Sequence, residues 1–302
     1  MHYVVTLAEK DYLIGAVALF NSLVRNGFEG VFVIGYRDLD KLPKLTLESI
    51  NNHNSDAIRL FELNTPIHFT NFKPQFMKLI ASSHSDLTVI TYLDPDIILT
   101  SPFSWIKDWS SYGPLVCADV NYWFPSHHPL RRIWLNRLDL VSSRNLDYYV
   151  NSGFLSIRRV DLGFLDLWQS IINSSVASTR NNKLYAQGEI ENTRGSGRWD
   201  PFLALDQDAL NIALMCFDSP VSILGPDIMG FTALGYIPHA IGSCKPWERF
   251  YFLYALKKGV KPRAVDKAFW SYVNYPLMNY KKYYLLLKKL DLFFALLLSR
   301  LA

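Results

Sequence analysis

Two hydrophobic rhythms alternate over the first 120 residues. Short apolar runs read as strands, and a 3.6-residue spacing of apolar positions reads as helix. Residues 3–7 form the first strand. Asp11 stands where it would cap a helix with Leu13, Val17, Phe20, Leu23 and Val24 on its apolar side, ending near Asn26-Gly27. A strand over 31–34, a helix over 42–51 and a strand over 57–63 follow. A helix over 74–81 has Pro74 in its first turn, and the apolar, β-branched run 87–93 is a buried strand. This alternation predicts an α/β fold with a mostly parallel central sheet flanked by helices, in which ligands bind beyond the carboxyl ends of the strands.

The pattern is less regular afterwards. Residues 115–118 and 154–157 read as strands, and 129–140, 160–174 and 205–215 as helices. The polar, glycine-containing stretch 179–200 has the length of a lid or binding loop. From 247 to 284 aromatic and basic residues interleave, and 285–302 is an amphipathic helix. One side of it carries Lys288, Lys289, Asp291, Ser299 and Arg300, and the other Leu290, Phe293, Phe294, Leu297 and Leu301. Such a tail suits attachment to a membrane surface; packing on the domain or on a partner subunit is the alternative. His127, His128, Arg131 and Arg132 read as a solvated face.

Composition narrows the class. Half of the 302 residues are hydrophobic, enough for a sizeable core, and the chain divides into a main domain, 1–250, and a helical tail, 251–302. The net charge of +4 makes no case for nucleic acid. Cys117, Cys216 and Cys244 are scattered, with neither a disulfide framework nor a zinc pattern, which fits a reducing compartment. The sequence opens on a strand, so no secretory leader is expected, and no run of about 18 uncharged apolar residues predicts a spanning helix. The expected location is cytoplasmic, peripheral on the inner face of a membrane.

The chemistry begins at Asp94-Pro95-Asp96, directly after the buried 87–93 strand. Like charges this close repel and cost desolvation, and a divalent cation is the simplest remedy; a solvated turn at Pro95 is the alternative. Three further motifs follow in order: Asn151-Ser152-Gly153 before a strand, Asp206-Gln207-Asp208 opening a helix, and His239-Ala240-Ile241-Gly242-Ser243-Cys244-Lys245-Pro246-Trp247. Each has a bland reading: a turn, an N-cap at Asp206, a structural histidine.

Together, in this order, the motifs resemble glycosyltransferase family 8, the family of glycogenin and the bacterial lipooligosaccharide galactosyltransferases. Thr6-Leu7-Ala8, the Gly15–Leu23 segment and Lys78, sixteen residues before Asp94, add to it, and the resemblance covers about residues 3–250. It implies a GT-A-like, nucleotide-diphospho-sugar transferase fold and a retaining hexosyltransferase using a UDP-sugar. It implies that Asp94, Asp96 and His239 hold Mn2+ or Mg2+, the imidazole favouring Mn2+. Leu7, Ala8 and Tyr12 would line the base and ribose site, although Glu9-Lys10-Asp11 departs from the family's usual residues there. Lys78, Pro95, Gly242 and Lys245 would meet the donor, Asn151, Ser152 and Gly153 its sugar, and Gln207, Asp206 and Asp208 the reacting carbon. The acceptor would be a saccharide, a lipid-linked saccharide or a protein. Two other functions remain open on the residues: a membrane-associated nucleotide-sugar-binding scaffold without turnover, and a phosphohydrolase with Asp94 as nucleophile and Asp96 as acid/base.

Overall fold

In the computed structural model the described residues are 1–53, 56–178, 201–232, 235–242 and 244–301, with the side chains of 176–178, 300 and 301 left out. The polar stretch 179–200 lies outside them. The elements in chain order are β1 (His2–Ala8), α1 (Tyr12–Arg25), β2 (Val31–Tyr36), α2 (Lys44–Asn51), β3 (Ile58–Glu62), α3 (Phe69–Ser83), β4 (Val89–Leu93), α4 (Ser104–Ser110), β5 (Leu115–Trp123), α5 (Pro129–Leu138), β6 (Tyr148–Arg158), α6 (Gly163–Ser178), α7 (Leu205–Cys216), β7 (Ser222–Leu224), α8 (Tyr251–Lys258), α9 (Ala264–Tyr272) and α10 (Lys282–Leu301).

The strands form one seven-stranded sheet in the order β3-β2-β1-β4-β6-β5-β7. β1 runs parallel to β4, β2 to β3 and β5 to β7, while β6 is antiparallel to β5. The sheet is thus mostly parallel and flanked by helices, as the alternating pattern predicts. All six positions of β2 are buried, which explains its unbroken apolar sequence. The strand order reverses between β1 and β4, and at such a switch point the carboxyl ends of the strands leave a crevice for ligand. Ala8 ends β1 there and Leu93 ends β4, with Asp94 next in the chain.

The chain contacts divide into two compact units: Met1–Val5, Leu63–Tyr92 and Ile106–Pro226 in the first, and Thr6–Glu62, Leu93–Trp105 and Asp227–Ala302 in the second. In the first, α3, α5, α6 and α7 pack on one another around the fully buried Trp134, Phe154, Phe164 and Trp168. Its buried hydroxyls satisfy each other: Ser156 bonds Thr91 at 2.7 Å and Ser110 at 2.9 Å. In the second unit α1 packs on α9, and α10 on α8 and α9. One apolar cluster joins Ile14, Ala18 and Ile98 to Trp247, Tyr251, Phe269, Trp270, Leu292 and Ala295. Asn21 is fully buried at that junction. Its amide donates to the carbonyls of Tyr272 and Leu277, and its oxygen accepts from Leu277 N–H, all at 2.9 Å.

Several sequence expectations are corrected. Asp11 occupies the N-cap position of α1 but makes no capping bond, because Glu9, Lys10 and Asp11 carbonyls already take the first three helical N–H groups. α3 begins at Phe69, five residues before Pro74, because His68 Nδ1 accepts from Thr70 N–H as an unconventional cap. His128 caps α5 in the same way, and Arg131, expected on a solvated face, is buried with its guanidinium on the carbonyls of Phe124 and Tyr148. β6 extends back to Tyr148, so Asn151-Ser152-Gly153 lies inside the strand rather than before it. In α10, Lys288 and Asp291, expected on the polar side, are buried, while Lys289 is exposed together with Leu290, Phe293, Phe294 and Leu297. Among the described residues no helix is long and apolar enough to cross a membrane.

Replacing Asn21 by Ala strands one buried N–H and two carbonyls. The expected cost is roughly 2 kcal/mol, seen calorimetrically as a fall of about 3 °C in the thermal midpoint. An unchanged midpoint would show that this junction contributes nothing to stability.

Candidate active site

The acidic pair is held by a short return of the chain. After β4, Ile97 forms an antiparallel bridge with His239. Ile98 and Thr100 donate to the carbonyls of Pro238 and Tyr236, and Ala240 donates to that of Asp96. This backbone ladder fixes the imidazole against the two carboxylates. His239 Nε2 lies 3.1 Å from Asp96 Oδ1 and 3.7 Å from Asp94 Oδ2. One ligand atom from each of Asp94, Asp96 and His239 falls within 4.8 Å of the others. Lys245 Nζ sits 2.6 Å from the second Asp96 oxygen and donates to Ala240 O at 2.9 Å.

Asp96 is 5% exposed. Burial alone would raise its carboxyl, but the imidazole of His239 and the ammonium of Lys245 outweigh it and hold the group below the usual carboxylate range. Among the described residues, His239 Nδ1 is buried without a hydrogen-bond partner. Two carboxylates and one imidazole converging on one point are a donor set suited to a divalent cation of the Mn2+ or Mg2+ class.

The surroundings explain the nearby small residues. A Cβ on Gly15 would meet Pro95 O at 2.3 Å and the Trp247 ring at 2.7 Å, so only glycine lets α1 pass this close to the acidic turn. Tyr12 meets Trp247 edge-on, with ring centroids 5.4 Å apart. Burial first, then the nearby Asp96, Glu248, Asp94 and Glu9, push its hydroxyl up to about 12, so it stays protonated. Leu7 and Ala8 are buried at the end of β1. In the departing Glu9-Lys10-Asp11 segment, Glu9 pairs with Arg37 at 2.7 Å and Lys10 takes a left-handed φ of 51°. Gly242 has φ +94°, a conformation that side chains resist.

A second cluster lies in the first unit. The β5–β6 register jumps between Val116, opposite Leu155, and Cys117, opposite Asn151. This irregularity takes Ser152 and Gly153 out of the regular ladder and frees their N–H groups for side chains. Ser152 N–H donates to Gln207 Oε1 at 3.1 Å, and Gly153 N–H to Asn151 Oδ1 at 2.8 Å. Ser152 Oγ donates to Asp206 at 2.6 Å. Asn151 and Gln207 both donate to Asp119 Oδ2, at 2.7 and 3.3 Å. The buried Lys73 ammonium lies 3.2 Å from Asp206 and donates to Ser152 O. Asp206 is in the first turn of α7 rather than at its N-cap, which is Ala204. Asp208 accepts from Tyr149 Oη at 2.6 Å and from the N-cap N–H of Ala204 at 2.9 Å, so it ties α7 to β6.

The sequence motifs therefore gather in two places: Asp94, Pro95, Asp96, His239 and Lys245 in one, and Asn151, Ser152, Gly153, Asp206, Gln207 and Asp208 in the other. Lys78 stands apart from both, on an exposed face of α3 paired with the exposed Asp166. Asp119, Lys73 and Tyr149 escaped the sequence reading. Asp119 had a signal, an acid directly after the apolar run 115–118, just as Asp94 follows β4. Lys73 and Tyr149 had none, because nothing in a sequence marks a lysine or tyrosine as buried against an acid.

No family model matches the chain, and no curated protein matches it in sequence. Solved structures do. The apo bifunctional glycosyltransferase WbbM superposes with a TM-score of 0.55 at 15% identity, over 90% of this chain and 49% of that one. The glycosyltransferase GlyE of Streptococcus pneumoniae TIGR4 gives 0.52 at 15% identity, over 96% of this chain and 63% of its own. The galactosyltransferase LgtC, in complex with donor and acceptor sugar analogs, gives 0.51 at 16% identity over 93% and 98%. An active-site glutamine-to-glutamate mutant of LgtC gives 0.52. The chain spans about half the length of the first of these and under two thirds of the second. The fold is the GT-A-like fold of these glycosyltransferases, as the resemblance to family 8 implies.

Gly15→Ala tests the close approach by its sign. In an open helix interior this change stabilises by up to about 1 kcal/mol. Against a backbone carbonyl it is expected to destabilise by about 1–3 kcal/mol, read as a lowered thermal midpoint. A raised midpoint would refute the tight contact.

Proposed function

We propose that this chain, built on the glycosyltransferase fold, is a metal-dependent retaining enzyme. It moves a hexose, glucose or galactose, from a UDP-sugar to a hydroxyl of a saccharide, a lipid-linked saccharide or a protein. The convergence of Asp94, Asp96 and His239, with Lys245 already drawn onto Asp96, carries the reading. A buried carboxylate needs positive charge, and Lys245 already supplies one to Asp96 while the His239 imidazole faces both acids.

Asp94, Asp96 and His239 would hold Mn2+ or Mg2+, which supplies Lewis-acid neutralisation of the departing diphosphate. Lys245, a compact flexible cation, donates to phosphate oxygens. Gly242, in its left-handed conformation, leaves the backbone open to phosphate. Leu7, Ala8 and the protonated Tyr12 take the uridine. Lys78, whose place in the fold is on an exposed helix face, is a less direct donor contact than the family pattern implies.

The second cluster suits the sugar. Asn151, Ser152 and Gly153 offer short donors and acceptors to its hydroxyls. Asp206 and Asp119 supply negative charge for an oxocarbenium-like transition state, and Lys73 orients the Asp206 carboxylate. Gln207, its amide oriented by Ser152 N–H and Asp119, is the weak nucleophile or dipole nearest the reacting carbon. Asp208 acts by fixing the start of α7. The LgtC structure with donor and acceptor sugar analogs supports the binding of a sugar donor and an acceptor.

With UDP-glucose or UDP-galactose and Mn2+, the protein is expected to release UDP, and EDTA to abolish the release. Donor binding with no release under any acceptor would leave a nucleotide-sugar-binding scaffold instead. Asp96→Asn is expected to weaken Mn2+ binding in calorimetry at least about tenfold, as for removal of a charged ligand. Unchanged affinity would end the metal assignment. Asp119→Asn is expected to lower kcat by about ten- to a hundredfold while leaving Mn2+ affinity intact, a split that a merely structural role would not give.

A further inference from the structure

A cavity of about 280 Å³ at the carboxyl end of α7 is lined by three arginines, Arg131, Arg132 and Arg144, and by no acid. It lies wholly within the first compact unit. Met215, on its wall, is nine residues beyond Asp206 in α7, about 14 Å along the axis at 1.5 Å per residue. The cavity is therefore separate from the cluster around Asp206 and Gln207.

Three like charges around one space repel, and the fold leaves them short of partners. Arg131 is 2% exposed, yet among the described residues no carboxylate comes within ion-pair distance of it. Its Nε and Nη2 donate to carbonyls, but Nη1 meets the thioether of Met215, a weak acceptor, at 3.1 Å. Asp147, whose charge it feels, accepts from Ser126 N–H at 2.8 Å instead. Burial pushes this guanidinium down to about 10, so it is still a cation at neutral pH. Arg132 is exposed, with no hydrogen bond or ion pair among the described residues. Arg144 Nη2 donates to the carbonyls of Phe217 and Ser219. Its Nε–H is buried with no acceptor among the described residues. A buried donor and an unpaired buried cation both favour an anion brought from outside the chain.

The other walls narrow that anion. Guanidinium forks match phosphate oxygens in pairs, and three of them exceed what the two oxygens of a carboxylate can use. Asn136, Ser142 and Asn145 add amides and a hydroxyl, and Leu135 and Leu140 an apolar side. That mixture suits a sugar ring, with hydroxyls to bond and C–H faces to pack, and the volume is near the lower end of small-molecule pockets.

We propose that this cavity binds a phosphorylated monosaccharide, with its phosphate among Arg131, Arg132 and Arg144. Titration calorimetry of the full-length protein needs neither metal nor turnover, so its result is independent of the reading of the active site. Glucose 6-phosphate is expected to bind with a Kd below about 1 mM, more weakly as salt rises, with inorganic phosphate and glucuronate weaker still and glucose giving no heat. Adding UDP with Mn2+ should leave glucose 6-phosphate bound. Arg132→Ala and Arg144→Gln should each weaken it at least about tenfold. Arg132 is exposed, so Arg132→Ala should keep the wild-type thermal midpoint and separate lost binding from lost folding. The proposal is overturned if the wild-type protein gives no heat with glucose 6-phosphate, or if Arg132→Ala binds it as tightly as wild type. It is equally overturned if UDP displaces the ligand, which would put it in the donor site, or if inorganic phosphate or glucuronate binds as tightly.

Discussion

Asp96 is the constraint from which the second unit takes its form. A carboxylate 5% exposed needs close polar partners to stay charged, and the chain brings two from far along the sequence, the His239 imidazole and the Lys245 ammonium. The backbone ladder from Ile97–Thr100 to 236–240 exists at the place where the imidazole must arrive. Trp247, two residues beyond Lys245, packs against α1 where Gly15 leaves room, and Tyr12 borders the same carboxylates. Helix, turn and return segment are thus fitted around one buried charge.

The second cluster solves a different problem. Asp119, Asp206 and Asp208 lie close along β5 and α7, and their partners are mainly uncharged donors from a distorted part of β6, together with Lys73. A regular β5–β6 ladder would have used those backbone N–H groups itself. The register jump turns a strand into a set of oriented donors, and the cluster keeps net negative charge. Negative charge of this kind suits the oxocarbenium-like transition state of the proposed transfer.

The C-terminal helices are continuous with this machinery. Tyr251, Phe269, Trp270 and Leu292 share one apolar cluster with Ile14, Ile98 and Trp247, so the surface that bears α10 is rooted next to the acidic turn. There the buried Lys288 lies among aromatic rings, and Asp291 accepts two N–H groups from the first turn of α8.

Local order along the chain determined much of this protein. The alternating periods fixed the strands and helices up to β4, and the position of Asp94 after a buried strand followed directly. The order of the four motifs carried the fold resemblance. What tertiary structure alone decided were matters of partnership. His68 and His128 as caps, the start of β6 at Tyr148, and the burial of Lys73, Arg131, Lys288 and Asp291 all depend on groups distant in sequence. Periodicity assumes that a charged side chain faces water and an apolar one the core. At Lys288 and Asp291 that assumption fails, because a buried charge with its hydrogen bonds satisfied costs less than it does alone, and satisfaction is a property of the folded neighbourhood, not of the residue.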